Sequence, residues 1–455
     1  MLTKESSQDN NEIKSDSIYD AIIIGSGAAG TSCAFHTKKL NLKVLLVEKN
    51  KLGGVWHNTG ATPSKALRAS AEIFHLIKRS NDFGINSQIN YVSPTNVFER
   101  ARNIAQLAVN KLYEKLKNEN IEIIFGEAEI VDQFTIKINN SFYKTKNIVI
   151  ATGTEPRVLN YNGNEKIKNL ILTSENVFSI DQVPKTLAIL GGGVIGCEFA
   201  GIFPMLDTKV TLIEPKDRIL SAFDPDISHF LMDRFKRRGI EVFVNAKEVQ
   251  ITENGLKING EEYQFDKVLL AIGRNYILPK GIENLNLKLS KYKTIEVNEY
   301  LQTNYENIYA IGDIANGMVA HSAIEHGRIA ALNIAGKKTK FVNIVPHVIY
   351  SSPEIAMVGT TTINENEKDL KFSKKIIFKE NLRAQIESRA SGFAKITYDK
   401  DHRILGALLA CQRAGEIIGY FTMAMRLNLT IEDLKKIILP YPTYSEIIRQ
   451  LVHEF

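Results

Sequence analysis

Two glycine-spaced turns stand out for what their backbone could hold. Residues 25–30 read Gly25-Ser26-Gly27-Ala28-Ala29-Gly30, and residues 191–196 read Gly191-Gly192-Gly193-Val194-Ile195-Gly196. Each follows a short apolar run, Ala21–Ile24 or Leu187–Leu190. Each leads into a helical pattern and then a second apolar run that ends in a carboxylate, Glu48 or Glu214. In that order the first glycine permits a tight turn, the second lets backbone N–H groups approach a pyrophosphate, and the third lets helix pack on strand. The positive helix N-terminus faces the phosphates, and the acid accepts from a ribose hydroxyl. One such turn is a weak signal. Two in the same context, roughly 165 residues apart, predict two dinucleotide sites in one chain. Glu214 favours NAD(H) at the second, because a carboxylate repels a 2′-phosphate. Lys216 and Arg218 either soften that preference towards NADP(H) or are ordinary loop charges.

The elements around these turns predict an α/β protein of several domains. A chain of 455 residues exceeds what one core holds. Its 44% apolar and 24% charged residues are ordinary for a globular protein, and a net charge of +6 without a Lys/Arg run gives no support for a nucleic-acid partner. Residues 1–17 are polar with mixed charges, lack the apolar core of a secretory signal, and read as a disordered tail. The longest apolar stretch, residues 186–206, holds Glu198, several glycines and Pro204, so it reads as a buried strand–turn–helix rather than a membrane span. A cytoplasmic location is the expectation. Cys33, Cys197 and Cys411 are far apart in sequence, with neither CxxC nor metal-ligand spacing, and read as buried small residues; no metal site is predicted. A helical region is predicted over about 64–117, then strands reaching 148–151.

Further segments carry a resemblance. Residues 53–65 read Gly53-Gly54-Val55-Trp56-His57-Asn58-Thr59-Gly60-Ala61-Thr62-Pro63-Ser64-Lys65; residues 151–156 read Ala-Thr-Gly-Thr-Glu-Pro; residues 271–274 read Ala-Ile-Gly-Arg; residues 303–313 end in Ile311-Gly312-Asp313; Ala320-His321 opens a helical pattern; Tyr441-Pro442-Thr443 precedes Glu446. In this order they resemble the class I pyridine nucleotide–disulfide oxidoreductases, the family of dihydrolipoamide dehydrogenase, over about residues 18–455. The resemblance implies two Rossmann-like FAD- and NAD(P)-binding domains plus a C-terminal α+β dimerisation domain. It divides the chain into FAD-binding residues 18–156 and 276–340, NAD(P)-binding residues 157–275 and dimerisation residues 341–455. It places FAD against Gly25, Gly27, Ala28, Ala29, Gly30, Glu48, Lys49, Gly53, Gly54, Val55, Lys65, Thr152, Gly153, Asp313, Ala320 and His321. It places the nicotinamide nucleotide against Gly191, Gly193, Val194, Ile195, Gly196, Glu198, Glu214 and Gly273. Lys65 and Glu198 are implied to pair near the flavin, and the small Val194 leaves that face open to hydride transfer. A homodimer is implied, with the segment holding Tyr441 and Glu446 reaching the partner's site.

The sequence departs from the family where the chemistry is done. Trp56 and Ala61 stand where the resemblance implies two redox cysteines, and neither side chain exchanges with a disulfide. Tyr441 stands where it implies a histidine base, and a phenol is a poor proton acceptor at neutral pH. The three losses together, with Tyr441-Pro442-Thr443, Asp217–Asp224 and Pro63–Arg68, resemble the soluble pyridine nucleotide transhydrogenases. The expectation is an FAD enzyme that takes hydride from NAD(P)H, NADH favoured, and passes it to an unidentified small-molecule acceptor that is not a disulfide, transhydrogenase- or diaphorase-like. A flavoenzyme of a specialised pathway and an FAD-binding scaffold subunit stay open as alternatives. Trp56 is either a plug in the vacated disulfide channel or a stacking wall for a substrate.

Overall fold

The computed structural model describes residues 18–89, 93–159, 165–363, 367 and 371–453. The tail expected over 1–17 lies outside them. The chain divides into two compact units. It crosses between them after Ala66, Phe98, Pro156, Gly273 and Val342, so that the second unit takes Leu67–Phe98, Arg157–Gly273 and the residues from Asn343.

The first unit gathers the residues up to Ala66 with Glu99–Pro156 and Arg274–Val342. Its centre is a parallel five-stranded sheet in the order Ile308–Ala310, Ile148–Ile150, Ala21–Ile24, Val44–Glu48 and Glu122–Phe125. Ala21–Ile24 is central, with Ile23 opposite Leu46 on one side and Val149 on the other. A strand covered on both faces needs no polar alternation, so all four of its residues are apolar and buried. Helix Ala28–Lys39 returns across the sheet and packs on helix Ala320–Ile334. At their crossing a Cβ on Gly327 would fall 2.4 Å from the Ala29 carbonyl oxygen, so only glycine allows this approach. An antiparallel meander, Ala128–Asp132, Thr135–Ile138 and Ser141–Lys144, completes the unit with the short pair Thr154–Pro156 and Arg274–Tyr276.

The second unit repeats the plan. Its parallel sheet runs Glu241–Phe243, Lys209–Ile213, Thr186–Leu190, Lys267–Leu270 and Ile171–Thr173, beside a meander of Val249–Thr252, Gly255–Ile258 and Glu261–Gln264. It also holds a five-stranded antiparallel sheet in the order His347–Ile349, Glu354–Gly359, Ile404–Cys411, Phe393–Asp399 and Lys371–Ile377. Helices Ala414–Arg426, Ile431–Lys435 and Glu446–His453 cover that sheet. Phe378, Phe421, Ile447 and Leu451 fill the space between with no exposed surface.

The helical stretch over 64–117 is two helices, Ala61–Lys78 and Pro94–Asn118. The first gives way to a 3-10 turn, Ser80–Phe83, closed by Gly84 at φ +72°. The second starts at Pro94, whose fixed φ and missing N–H suit a first helical position. Among the described residues no helix is long and apolar enough to cross a membrane.

Candidate functional site

The two glycine turns are built alike to fine detail. Gly25 has φ +107° and Gly191 φ +105°, and a Cβ on either would sit 2.4 Å from a carbonyl oxygen, of Ala151 and Ala271 respectively. A Cβ on Gly30 or Gly196 would meet the oxygen of that first glycine at 1.9 Å. These four are glycine because the fold leaves no alternative. Gly27 and Gly193 differ. Their φ values, −66° and −76°, suit any residue, and a Cβ on either would meet nothing within 4 Å. The fold does not require glycine there, whereas a ligand lying against the backbone would. Each caps the N-terminus of a helix that has no side-chain cap, which leaves the helix end open to an anion.

Each acid stiffens its own turn. Glu48 is buried. Its Oε2 accepts from the Ser26 N–H at 3.0 Å and the Ser26 hydroxyl at 2.6 Å, while Oε1 accepts from the Asn50 N–H at 2.7 Å. The Ser26 hydroxyl in turn accepts from the Gly53 N–H at 3.1 Å, tying the loop before Trp56 to the first turn. Glu214, equally buried, accepts from the Gly192 N–H at 2.7 Å and the Lys216 N–H at 3.0 Å. Lys49 follows Glu48 on the surface. Arg218 is committed to its own loop, donating to the carbonyls of Leu220, Ser221 and Phe223 and to the Ser228 hydroxyl. Of the two nearby cations only Lys216 has an exposed side chain.

Asp313 sits on a 3-10 turn after strand Ile308–Ala310. Thr154 donates to it at 3.1 Å, and Arg274 holds Thr154 through both the hydroxyl and the carbonyl at 2.8 Å. Burial pushes the Asp313 carboxyl above its ordinary range, with Thr154 and Arg274 pulling the other way. Thr152 is fixed by donating to the Ile277 carbonyl at 2.5 Å, and Gly153 follows at φ +68° with open space beyond it. Ala320 and the exposed His321 open helix Ala320–Ile334.

Trp56 lies on the short helix Gly54–Asn58, all of whose residues are half-buried. The helix starts from two left-handed glycines, Gly53 and Gly54, and Gly54 lies so close to Gly27 that a Cβ on it would be 3.0 Å from the Gly27 Cα. The indole packs against the core of the first unit. It stacks on His57 with ring centres 4.0 Å apart, and the His57 Nδ1 lies 3.1 Å from the Thr62 hydroxyl. Val55 and Ala61 are half-buried, with Ala61 opening the helix that carries Lys65 one turn later. In the second unit, half-buried Val194, Ile195 and Glu198 lie on helix Val194–Ile202, and Glu198 accepts from the Tyr350 N–H at 3.0 Å. Gly273, at φ +104°, accepts from the Arg157 N–H at 3.0 Å. Tyr441 is 68% exposed. Glu446 is buried at the start of the last helix, 3.5 Å from Arg449.

The family model for pyridine nucleotide-disulphide oxidoreductases matches residues 19–327, and the model of their dimerisation domain matches residues 345–452. The chain belongs to the pyridine nucleotide-disulphide oxidoreductase family. It is similar to the dihydrolipoyl dehydrogenase of Mycoplasma genitalium, 34% identical over 94% of this chain and 97% of the relative. It is 30% identical to the mercuric reductase of Bacillus cereus, over 96% of this chain and 71% of the relative. Among solved structures it resembles the HOCl-induced flavoprotein disulfide reductase RclA from Escherichia coli, with TM-score 0.84 and 25% identity over 96% of this chain and 99% of that one. LpdA from Mycobacterium tuberculosis shares the fold, with TM-score 0.87 at 23% identity over 95% and 99%. The protein is therefore an FAD-dependent pyridine nucleotide oxidoreductase by family.

Four supporting residues had no role assigned from the sequence: Ser26, Thr154 and Arg274, which lie inside the motifs quoted above, and His326. The first sits unremarked between two motif glycines, and the next two act only through contacts distant in sequence. His326 is buried on helix Ala320–Ile334. Its Nδ1 accepts from the Gly312 N–H at 3.3 Å, and its ring stands edge-on to Phe341 at 4.4 Å. Burial lowers its pKa to about 4. The unfolded chain therefore binds a proton that the folded chain refuses. The stability that His326 permits is complete above about pH 6.5 and falls away towards about pH 4, by a few kcal/mol. Urea unfolding across that range is expected to show this acid limb, and His326→Gln to flatten it.

Proposed function

We propose that this protein oxidises NADH and passes the electrons to a small acceptor that is not a disulfide, in the manner of a transhydrogenase or diaphorase. The observation that carries the reading is the state of its cysteines. All three, Cys33, Cys197 and Cys411, are free and buried, and burial pushes each thiol well up, that of Cys33 to about 12. Disulfide exchange needs an accessible thiolate. The names of the relatives point towards disulfide chemistry, but the segment that would perform it here holds Trp56 and Ala61.

FAD, when bound, supplies a two-electron store between donor and acceptor. The open backbone at Gly27, the helix end behind it and the turn braced by Glu48 and Ser26 fit its pyrophosphate, and Asp313 fits a ribityl hydroxyl that would donate to its carboxylate. Gly193 and Glu214 fit the nicotinamide dinucleotide in the same way. Glu214 already braces the turn, and a carboxylate at the ribose position favours NADH over a 2′-phosphorylated nucleotide. Of the two cations just after Glu214, Arg218 is spent on its loop and Lys216 is left to attract a 2′-phosphate. By the resemblance, Lys65 and Glu198 supply a cation and a carboxylate at the flavin. Trp56, held by core packing and by the His57 ring, fills the place of the first thiol as a plug. The dimerisation domain makes the working unit a homodimer, with Tyr441 and Glu446 offered to the partner's site.

Two further outcomes follow. NADH is expected to be used with kcat/KM about 30-fold or more above NADPH, and Glu214→Ala to narrow that ratio by about tenfold. Asp313→Ala is expected to purify largely free of flavin. Steady-state assays with a dye or thio-NADP acceptor, and flavin content by absorbance, check these. Efficient turnover of a low-molecular-weight disulfide by the wild-type protein would overturn the proposal.

A further inference from the structure

A second charged site lies wholly within the second unit. A cleft of about 380 Å³ opens between helix Ala61–Lys78, the end of helix Pro225–Arg237, the turn at Ser352 and the loop at Arg389. Its wall carries Arg79, Arg234, Arg238, Arg389 and His75, against one carboxylate, Glu72. That carboxylate is already paired with Arg68 at 2.8 Å, and Arg68 also holds Glu354 at 3.3 Å. Arg79 pairs with Asp82. Asp233, the acid beside Arg234 in sequence, is paired with Arg237 at 3.0 Å. Among the described residues no carboxylate lies in ion-pair range of Arg234, Arg238 or Arg389. Arg238 donates to the neutral Ser352 hydroxyl at 2.9 Å, and the Arg234 Nε is buried with no hydrogen-bond partner.

Half-buried guanidiniums facing one another without an acid are costly, because each loses hydration and repels the next. Burial and the charges of Arg234, Arg79, Arg389 and Arg68 hold Arg238 at about 10, well below the usual arginine range. His75 is lowered by burial and by Arg238, Arg79 and Arg389. An anion seated among them offsets this repulsion and gives the desolvated guanidiniums a charged partner. Planar guanidinium forks match phosphoryl oxygens two at a time, and a space of this size suits a small molecule.

We propose that this cleft is a binding site for a small anion carrying two phosphoryl groups, separate from both dinucleotide turns. Its charge balance sets the ligand class: three unpaired guanidiniums call for more than one negative charge, and no metal-holding cluster of His, Cys, Asp or Glu occurs among the described residues to favour a cation. The inference stands whether or not the proposed electron acceptor is correct.

The test uses the flavin-loaded protein with the nicotinamide site saturated by NAD. Millimolar pyrophosphate is expected to raise the melting temperature by a few degrees over sodium chloride of equal ionic strength. Calorimetric titration is expected to show pyrophosphate binding about tenfold or more tighter than inorganic phosphate. Arg389→Gln, on a surface loop, and Arg79→Gln, at a helix end, are each expected to weaken pyrophosphate about tenfold while dye reduction by NADH stays unchanged. No pyrophosphate effect beyond that of chloride overturns the proposal. So does equal binding by wild type and Arg389→Gln, which would put the anion elsewhere.

Discussion

Titrated anaerobically with NADH, the purified yellow protein is expected to lose its flavin absorbance after about one equivalent and to show no long-wavelength thiolate band, because a flavin alone takes up two electrons. A disulfide beside it would take two more and demand a second equivalent. The expectation follows from the segment Gly53–Lys65. The short helix Gly54–Asn58 and the helix from Ala61 are joined at Thr59-Gly60, where the Gly60 N–H donates to the Val55 carbonyl at 2.6 Å. This hinge presents residues 56 and 61, and both are redox-inert. Turnover with oxidised lipoamide or glutathione is expected to lie at least about 10⁴-fold below turnover with a dye acceptor, because the nucleophilic step is missing altogether. The double substitution Trp56→Cys with Ala61→Cys tests the same idea in reverse. It is expected to raise the NADH requirement to about two equivalents, since it adds a second two-electron centre, while disulfide turnover stays low because Tyr441 cannot serve as the base. Wild-type protein that consumes two equivalents and develops the band would mean that one of the buried cysteines moves into the site.

Much of this architecture was legible in the sequence because it is enforced locally. Gly25, Gly30, Gly191 and Gly196 cannot be other residues without striking a backbone oxygen, so the fold writes them into the chain. All-apolar Ala21–Ile24 announces a strand buried on both faces. The break after Lys78 is marked in the sequence by Ser80-Asn81-Asp82-Phe83-Gly84, a run of turn-forming residues, but a helical region over 64–117 does not by itself say where one helix ends. The fate of Arg218 stayed open between a nucleotide contact and an ordinary loop charge, and it is the loop charge: the chain curls at Leu220, φ +50°, and turns three carbonyls onto the guanidinium. The arginine cleft was invisible for a simpler reason. Two of its members, Arg234 and Arg238, lie one turn apart at the end of a helix, but nothing in the sequence brings positions 79 and 389 to them. Local rules place glycines and strands, whereas the partners of a charge depend on distant chain.

Gly193→Ala is expected to abolish useful NADH binding while leaving the fold and the flavin intact. The neighbouring glycines cannot make this separation. Alanine at Gly191 would be forced to φ +105° with its Cβ 2.4 Å from the Ala271 oxygen, so the turn itself would fail. At Gly193 the backbone is ordinary and the Cβ points into open space, so the free protein has nothing to lose. The methyl group occupies the approach to the end of helix Val194–Ile202, where a pyrophosphate must lie against the backbone to reach its N–H groups. Pushing the phosphates off those donors forfeits charge-assisted hydrogen bonds worth about 3 kcal/mol together, an increase of about 100-fold or more in Kd for NADH. Melting temperature and flavin content are expected to match wild type, and photoreduced flavin is expected still to pass electrons to a dye. Gly27→Ala should give the mirror result, a folded chain that purifies without flavin. If Gly193→Ala bound NADH as tightly as wild type, the second turn would be a structural repeat of the first rather than a nucleotide seat, and the proposed electron donor would have to enter elsewhere.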